Sequence, residues 1–462
     1  MRVLFATAEL SPLARVGGLA EASAGLSRTL RELGVDVNVV LPDYGGIDLA
    51  DDHRFDLDVP EWVGRAQARH GVADGFGRVT LIDVEGIRRP HPYLDPETGE
   101  GWRDNDARFF RFSAAVAALA RAQRPDLLHL NDWHTAASLG MLAERPPTVF
   151  NIHTLGYQGF AARHWLDQLP HHRDAFEWYD GVNPLAGALR LADLVVAVSP
   201  NYAREILSPE NGMGMHDVLR ARGDRLVGIR NGIDTSVWDP ATDPHVATTY
   251  SASDPVGKQS CRVSLAAEVG WPPDADPIIG MVTRLADQKG VDLALALVPY
   301  LETLPARLVI LGAGDRRLAA IASDAAARLP DRVVFREGYD DAFGHRIFAG
   351  SDLFLMPSRF EPCGLAQMQA MAYGTFPVVT DVGGLHDTVS DDDFQRGNGT
   401  GFMSGTVDTT GLVDALHRAV RALRQPSRRK AIQRRAMAHD WSWTVPAEEH
   451  LQHYRALLEA RP

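Results

Sequence analysis

The sequence predicts a doubly wound α/β protein built as two domains. Three observations carry this reading. Short β-rich runs alternate with helix-period segments along most of the chain, the pattern of parallel sheets covered by helices on both faces. At 462 residues the chain is longer than one hydrophobic core sustains. The alternation also breaks once, in the Pro-, Asp-, Ser- and Thr-rich stretch Trp238–Gly257.

The strand candidates of the first half are Arg2–Glu9, Asp36–Pro42, Arg78–Gly86, Asp126–Asp132, Thr148–Thr154 and Leu194–Pro200. Those of the second half are Ile278–Leu285, Arg307–Asp315, Arg332–Tyr339, Leu353–Phe360 and Phe376–Gly384. Between the first two lies a helical stretch, Gly18–Leu33, in which Leu19, Ala22, Leu26, Leu30 and Leu33 recur at helical spacing and form one buried face. Asp95–Asp106 reads as a long polar loop. The expected organisation is a first domain over 1–240, a linker over 241–260, a second domain over 261–440 and a terminal helical segment over 441–462. Two such domains facing each other form a cleft, and ligands of such sheets bind beyond the carboxyl ends of the strands.

Composition excludes several classes. The net charge of −13 argues against general nucleic-acid binding, which needs basic surface. It leaves room for an anionic ligand held by local Lys and Arg, because site chemistry is set at short range. No apolar run approaches the ~20 residues of a membrane helix, and the start MRVLFATAEL reads directly as a strand. Cys261 and Cys363 lie far apart and form no redox or metal pair, so a reduced, cytoplasmic setting is expected.

Motifs cluster at strand ends. Arg15-Val16-Gly17-Gly18-Leu19 follows the first strand; it reads equally as an anion-approaching backbone loop at a helix start or as a tight turn. Arg284 and Lys289 sit five residues apart in a strand-to-helix loop. There they either grip a diphosphate, stabilising charge that grows on a leaving phosphate, or are solvated surface charges. Ser358-Arg359-Phe360-Glu361-Pro362-Cys363-Gly364-Leu365 ends an apolar strand and begins an apolar helix. A carboxylate at that turn can accept from sugar hydroxyls while helix-start amides meet phosphate. Cys363 has no base paired with it by motif and reads as a packing or substrate-lining residue. In His129-Leu130-Asn131-Asp132-Trp133-His134, alternation puts His129 and Asn131 on one face, and a pocket wall of Asp132 and His134 fits better than a metal site. His153 lies near the same crevice. The Asp-x-Asp triplets at Asp56–Asp58, Asp104–Asp106, Asp274–Asp276 and Asp391–Asp393 are too frequent in this acidic chain to signal metal, and each reads as a solvated loop.

Taken in order, these segments resemble the bacterial glycogen synthase and plant starch synthase family. Its K-V-G-G-L loop is matched by residues 15–19, followed by DNDARFFRFS at 104–113, HLNDWHTA at 129–136 and IHTLGYQGF at 152–160. VSPNYAREI at 198–206, RNGIDTSVWDPATD at 230–243, TRLADQKGVDL at 283–293 and LGAGD at 311–315 continue it. MPSRFEPCGLAQ at 356–367, GGLHDTV at 383–389 and SW at 442–443 close it. So many ordered matches make the resemblance specific where one motif would not.

The resemblance implies two Rossmann-like domains facing a cleft (the GT-B architecture), with the C-terminal helix packing back on the first. It implies retaining transfer of glucose from the donor ADP-glucose to the non-reducing end of an α-1,4-glucan, with no metal and no further cofactor. By the same resemblance Arg284 and Lys289 hold the diphosphate, Glu361 and the Gly364 region contact glucose and phosphate, His153 lies beside the sugar ring, and Asp132 and Asn231 shape the pocket. Arg15, Gly17, Gly18, Tyr339, Cys363, Leu365 and Thr388 complete the donor side, with Tyr339 at the nucleobase, and Glu9, Asp132 and Tyr157 the acceptor side. Four positions depart from the family pattern: Arg15 for lysine, Glu21 for aspartate, Thr154 for asparagine and Ala186 for lysine. They cluster in the first, acceptor-binding domain and keep open a related glucosyltransferase with a small-molecule acceptor. A glucan-binding protein without catalysis is a third reading, opposed by the intact Glu361, Arg284 and Lys289.

Overall fold

The computed structural model describes residues 1–273 and 276–460. The chain divides into two compact units: unit 1 is Met1–Gly232 together with the segment beginning at Trp443, and unit 2 is Ile233–Ser442.

Unit 1 is built on a nine-stranded sheet. Its strands are β1 (Arg2–Ala6), β2 (Asp36–Pro42), β3 (Leu49–Asp56), β4 (Ala66–Ala73), β5 (Gly77–Val84), β6 (Leu127–Asn131), β7 (Thr148–Ile152), β11 (Leu194–Ala197) and β12 (Leu226–Gly228). A separate three-stranded sheet holds β8 (Ala161–Ala162), β9 (Glu177–Trp178) and β10 (Gly181–Val182). The order of the large sheet is β12-β11-β7-β6-β1-β2-β5-β4-β3, parallel up to β5 and antiparallel beyond it. Strands β6, β7 and β11 are buried at every residue, as expected for a parallel sheet covered on both faces. The order reverses between β1 and β6, so the crevice of this sheet opens beyond their carboxyl ends.

Unit 2 carries a six-stranded parallel sheet of β13 (Ile278–Val282), β14 (Arg307–Gly312), β15 (Val333–Glu337), β16 (Leu353–Met356), β17 (Phe376–Thr380) and β18 (Phe402–Ser404), in the order β15-β14-β13-β16-β17-β18. This is the Rossmann order, with its switch point between β13 and β16.

The expected strands are all present, shorter by a few residues where the chain turns into functional loops. The β3–β4 hairpin is an addition that apolar patterning did not reveal. Strand β3, LADDHRFD, is exposed along nearly its whole length, and its charges and the register shift between Ala50 and His53 suit an edge that must not pair further. The helix expected over Gly18–Leu33 spans Gly18–Glu32 and buries Leu19, Ala22, Leu26 and Leu30. The polar loop before Asn105 is held by Arg108, a fully buried guanidinium that donates to the carbonyls of Gly86, Ile87 and Pro92.

Two expectations need correction. The stretch 241–260 is not a free linker but part of unit 2. Its polar residues close their own turns, Ala241 N–H donating to Asp239 Oδ1 at 2.9 Å and His245 N–H to Asp243 Oδ1 at 2.8 Å. Asp243 is buried against His345 Nδ1 at 2.8 Å, Trp238 stacks on His345 at 4.1 Å, and the helix Val256–Glu268 follows. Asp391–Asp393 is not a solvated loop either: Asp391 and Asp392 are buried and paired with Arg418, Arg428 and Arg435, which fasten the segment leading into β18. In the triplet Asp274–Asp276, Asp274 lies outside the described residues.

The C-terminal helix Thr444–Glu459 belongs to unit 1. Trp443, Ala447, Leu451 and Tyr454, one per turn, enter the core that includes Val3, Phe5, Leu26 and Leu30. The Trp443 ring lies where a Cβ on Gly25 would sit, 2.0 Å from its Nε1. Gly25→Val is therefore expected to lower stability by about 1–3 kcal/mol, the usual cost of overpacking, through displacement of the returning helix. Thermal or denaturant unfolding checks this; a midpoint equal to that of the parent protein would refute the packing role of Gly25.

Candidate active site

The motif residues lie at or beyond the carboxyl ends of strands at the two switch points and, for β7, of the strand next to them. In unit 1, β1 leads to Glu9 and the Gly17 loop, β6 ends at Asp132, and β7 leads to His153. In unit 2, β13 leads to Arg284 and Lys289, and β16 leads to Ser358–Leu365.

In unit 2, Lys289 Nζ lies 2.6 Å from Glu361 Oε2, and Ser358 Oγ donates to the same oxygen at 3.1 Å. Glu361 is 4% exposed, while the Lys289 side chain keeps 22%. A buried carboxylate without a partner is prohibitively costly, so Lys289 and Ser358 are what allow Glu361 to remain inside. Only Oε2 is used by these two, which leaves Oε1 to accept from a ligand hydroxyl. Arg284 is exposed and reaches Gln288 Oε1 at 3.1 Å; Gln288 in turn donates to Phe360 O at 3.3 Å. Arg359 closes the same junction, bidentate to Asp292 at 2.8 and 2.7 Å.

The turn beyond Glu361 is equally fixed. Cys363 is buried, and Gly364 adopts φ +74° just before the helix Ala366–Ala372, whose N-cap is Leu365. Gln367 Nε2 donates to Cys363 O at 3.1 Å, Gly364 O at 3.0 Å and Thr388 Oγ1 at 3.0 Å, so Thr388 braces the turn. Tyr339 stands two residues past β15 and is 79% exposed.

In unit 1, Glu9 Oε2 accepts from the backbone amides of Val16 at 2.9 Å and Gly17 at 2.7 Å, and Tyr93 OH donates to Oε1 at 2.8 Å. The glycine loop thus does cradle an anion, and here the anion is the chain's own carboxylate. Arg15 pairs with Glu21 at 3.1 Å. Asp132, at φ 53°, accepts from His153 N–H at 2.8 Å and is 5% exposed; burial raises its pKa to about 7. His153 Nε2 lies 3.0 Å from Asn131 Oδ1, and Asn131 Nδ2 donates to Ala6 O at 2.9 Å. The amide orientation is therefore set, Asn131 Oδ1 accepts, and the His153 proton resides on Nε2. Burial pushes the His153 pKa down to about 3, so the ring is neutral and its Nδ1 is an acceptor.

His134 does not line a pocket with Asp132. Its ring sits 4.6 Å from Phe109 and 5.0 Å from Tyr93 inside an aromatic cluster. Tyr157 is 58% exposed, and Asn231 is buried past β12, with its carbonyl accepting from Arg230 at 3.1 Å. The structure thus joins Lys289 with Glu361, Cys363–Leu365 with Thr388, Glu9 with Gly17, and Asp132 with His153. Among the described residues of each unit, Tyr339 and Asn231 join none of these groups. Sequence reasoning missed Ser358, Gln288, Gln367, Asn131 and Tyr93. The first four lie within or beside quoted motifs, whereas Tyr93 comes from the polar loop and carries no local signal. Among the described residues no group of three or more His, Cys, Asp or Glu is placed to hold a metal ion.

Comparison with known proteins follows the same division of the chain. Residues 2–221 match the family model described as starch synthase catalytic domain, and residues 268–437 match glycosyl transferases group 1. Fold and site together thus define a glycosyltransferase of the two-Rossmann-domain class. Glycogen synthase of Halorhodospira halophila is 42% identical over 477 aligned residues that cover the whole of both chains. That of Thioalkalivibrio sulfidiphilus is 40% identical, covering 99% of this chain and 100% of its own. The catalytic domain of starch synthase IV from Arabidopsis thaliana, solved bound to ADP and acarbose, superposes with a TM-score of 0.88 at 30% identity over 99% of each chain. The chain belongs to the glycogen synthase family.

Asp132 provides a pH test. Its pKa is raised on folding, so its burial penalty is absent while it is protonated in both states, below about pH 4. The penalty grows as pH rises through the folded value of about 7. Asp132→Asn keeps the acceptor oxygen and never ionises. The stability of Asp132→Asn relative to the parent should therefore climb by on the order of a few kcal/mol between pH 4 and 7. Denaturant unfolding across that range checks it, and parallel curves would contradict the buried, protonatable carboxyl.

Proposed function

We propose that this chain is a retaining glucosyltransferase that moves glucose from ADP-glucose to the non-reducing end of an α-1,4-glucan, the glycogen synthase reaction, in the cytoplasm. The observation that carries the chemistry is the buried Glu361 with Lys289 at 2.6 Å, at the switch point of unit 2. Full-length relatives named glycogen synthase, and a similar solved structure that binds ADP and acarbose, support the choice of donor and acceptor.

In this reading Lys289 and Arg284 take the diphosphate, with the positive charge placed where negative charge develops as the sugar–phosphate bond breaks. No metal is required for that role. Glu361 Oε1 accepts from a glucose hydroxyl, and the Gly364–Leu365 amides at the helix start approach the phosphates, with Cys363 and Thr388 shaping that turn. Tyr339 packs on the nucleobase, and Asn231 and the backbone of Gly17 and Gly18 complete the donor side with Arg15. His153, neutral and with Nδ1 free to accept, serves as a hydrogen-bond acceptor for a sugar hydroxyl rather than as an acid. Asp132, Glu9 and Tyr157 line the acceptor side. The acceptor hydroxyl attacks on the face the phosphate leaves, and the departing phosphate takes its proton, which retains the configuration.

Lys289→Ala and Glu361→Ala should each lower turnover by a factor on the order of 10²–10³, the usual loss when a fixed electrostatic stabiliser is removed. Near-normal turnover in both would overturn the assignment. Cys363→Ser should keep substantial activity, whereas complete loss in a folded variant would indicate a covalent role. Activity should also be unchanged by EDTA. The direct test is a matrix of ADP-, UDP- and GDP-glucose against glycogen, maltooligosaccharides and small hydroxylated acceptors. Elongation of glucan with ADP-glucose supports the proposal. Transfer only to a small acceptor would mean that Glu21, Thr154 and Ala186 mark a changed specificity.

A further inference from the structure

The chain is acidic overall, with a net charge of −13, yet residues 415–439 carry eight Lys and Arg and no Asp or Glu. Several of these cations are engaged within unit 2. Arg428 and Arg435 hold Asp392, and Arg418 holds Asp391 at 2.8 Å. Arg421 keeps 62% of its side chain exposed and reaches Asp393 only at 3.5 Å. Arg424, which closes the helix Thr409–Leu423, is exposed, and among the described residues it has no carboxylate partner. His417, Arg421 and Arg424 follow one another at spacings of four and three, so they form one ridge of that helix. A helix end accommodates a cation through its dipole. Here, however, the chain turns at once into the helix Pro426–Ala438, whose first turn holds no acid and is followed closely by Arg429 and Lys430. Helix starts disfavour positive charge, so the surplus at this junction calls for an anion from outside.

The ridge borders a recess of about 470 Å³, within the range of sites that take small organic molecules. Its polar wall is made by His417, Arg418, Arg421, Arg424, Thr303 and Gln425. Buried Leu304 and Val420 close its base. Asp414 also lies on the wall, and Arg418 takes it at 2.8 Å. Three guanidinium groups against one carboxylate leave the recess positive. Guanidinium forks match phosphate oxygens in geometry as well as charge. The volume suits one sugar or nucleoside carrying phosphate. A polyanion would bring its further charges against an acidic chain, which argues against nucleic acid here.

One segment of unit 2 links this recess to the Glu361 turn. Gly384 N–H donates to Glu361 O at 2.9 Å, and Thr388 Oγ1 accepts from Gln367, the side chain that braces Cys363 and Gly364. Three residues after Thr388, Asp391 is fixed by Arg418 and accepts from Met403 N–H at 2.7 Å. Asp393 then meets Arg421. An anion seated between Arg421 and Arg424 competes with Asp393 for Arg421, and so loosens the far end of the segment that holds the turn. We infer that the recess is a regulatory site for a small phosphorylated metabolite, whose binding weakens the hold of the Glu361 turn on the donor. The regulatory part rests on the glucosyl transfer proposed above; the binding part stands without it.

The test is calorimetric titration of the full-length protein with inorganic phosphate, glucose 1-phosphate and AMP, at an ionic strength held constant with chloride. Tighter binding of glucose 1-phosphate than of inorganic phosphate assigns a sugar phosphate, and tighter binding of AMP a nucleotide. Arg424→Glu should weaken binding about tenfold or more, the loss of a charge-assisted contact, and Arg424→Lys by less. Lys289→Ala should leave it unchanged. With the tightest ligand at saturation, the parent's KM for ADP-glucose should rise about fivefold, an ordinary coupling between sites, while that of Arg424→Glu stays where it was. Absence of binding, binding that Arg424→Glu retains in full, or binding lost in Lys289→Ala would overturn the site. A KM that does not move overturns the regulation, and so does a rise that persists in Arg424→Glu, which would be competition at the donor site. A parent with no transferase activity refutes the proposed function, and the titrations still decide the recess.

Discussion

The site in unit 2 depends on one close approach. Gly290 adopts φ +62°, and a Cβ there would lie 1.9 Å from Pro357 O, inside any permissible contact. Only glycine lets the loop after β13 lie directly against the loop after β16. That contact brings Lys289 within 2.6 Å of Glu361, and Arg359 N–H to Gln288 O at 2.8 Å. The Rossmann order places the two loops side by side, and the missing side chain removes the last obstacle. The ion pair is thus a consequence of backbone proximity at the switch point, and its short length needs no long-range electrostatic steering.

In unit 1 the equivalent precision comes from the end of the chain. The C-terminal helix buries Trp443 over Gly25 and sends His450 and Tyr454 beneath the active-site strands. Tyr454 OH meets His129 Nδ1, and His450 donates from Nδ1 to Pro446 O at 2.8 Å, leaving Nε2 toward Asn151. His129 and Asn131 occupy the same face of β6, so one side of that strand is braced by the returning helix while Asn131 orients His153. Burial keeps this histidine group neutral: the His450 pKa falls to about 4 and that of His129 well below its usual value, desolvation being the main cause in both. A neutral cluster can sit under these strands without adding positive charge to them.

Much of this was legible in the sequence because buried parallel strands are near-continuous apolar runs and their carboxyl ends carry the candidate site residues. The eleven expected strands, the helix after the glycine loop and the placing of Glu361, Lys289 and Asp132 at strand ends all follow from that grammar. What stayed hidden had a different physical basis. The β3 edge is charged and exposed, so it carries no apolar period. The stretch 241–260 has the composition of a linker, yet Asp243 and Tyr250 are buried by partners more than a hundred residues away, His345 and Tyr373. Asp391–Asp393 looked solvated because their arginines lie on helices further along the chain. Long-range pairing of polar groups leaves no local pattern.

The same logic applies to the positions that depart from the family pattern. Arg15 and Glu21 replace lysine and aspartate together, and they pair with each other at 3.1 Å across the glycine loop. Both replacements preserve charge, and a longer acid reaching back from the first turn of the helix suits the bulkier guanidinium. Thr154, in place of asparagine, still closes its own turn, its Oγ1 accepting from Gly156 N–H at 3.1 Å as an asparagine oxygen would. Two of the departures therefore pair with each other, and a third makes a hydrogen bond within the loop following His153. Ala186 is the exception: it is fully buried in the helix Pro184–Leu191, and among the described residues no contact takes over the charge of a lysine there. Ala186 is thus the departure whose change of charge has no counterpart nearby, whereas Arg15 with Glu21 and Thr154 each make a local contact of their own.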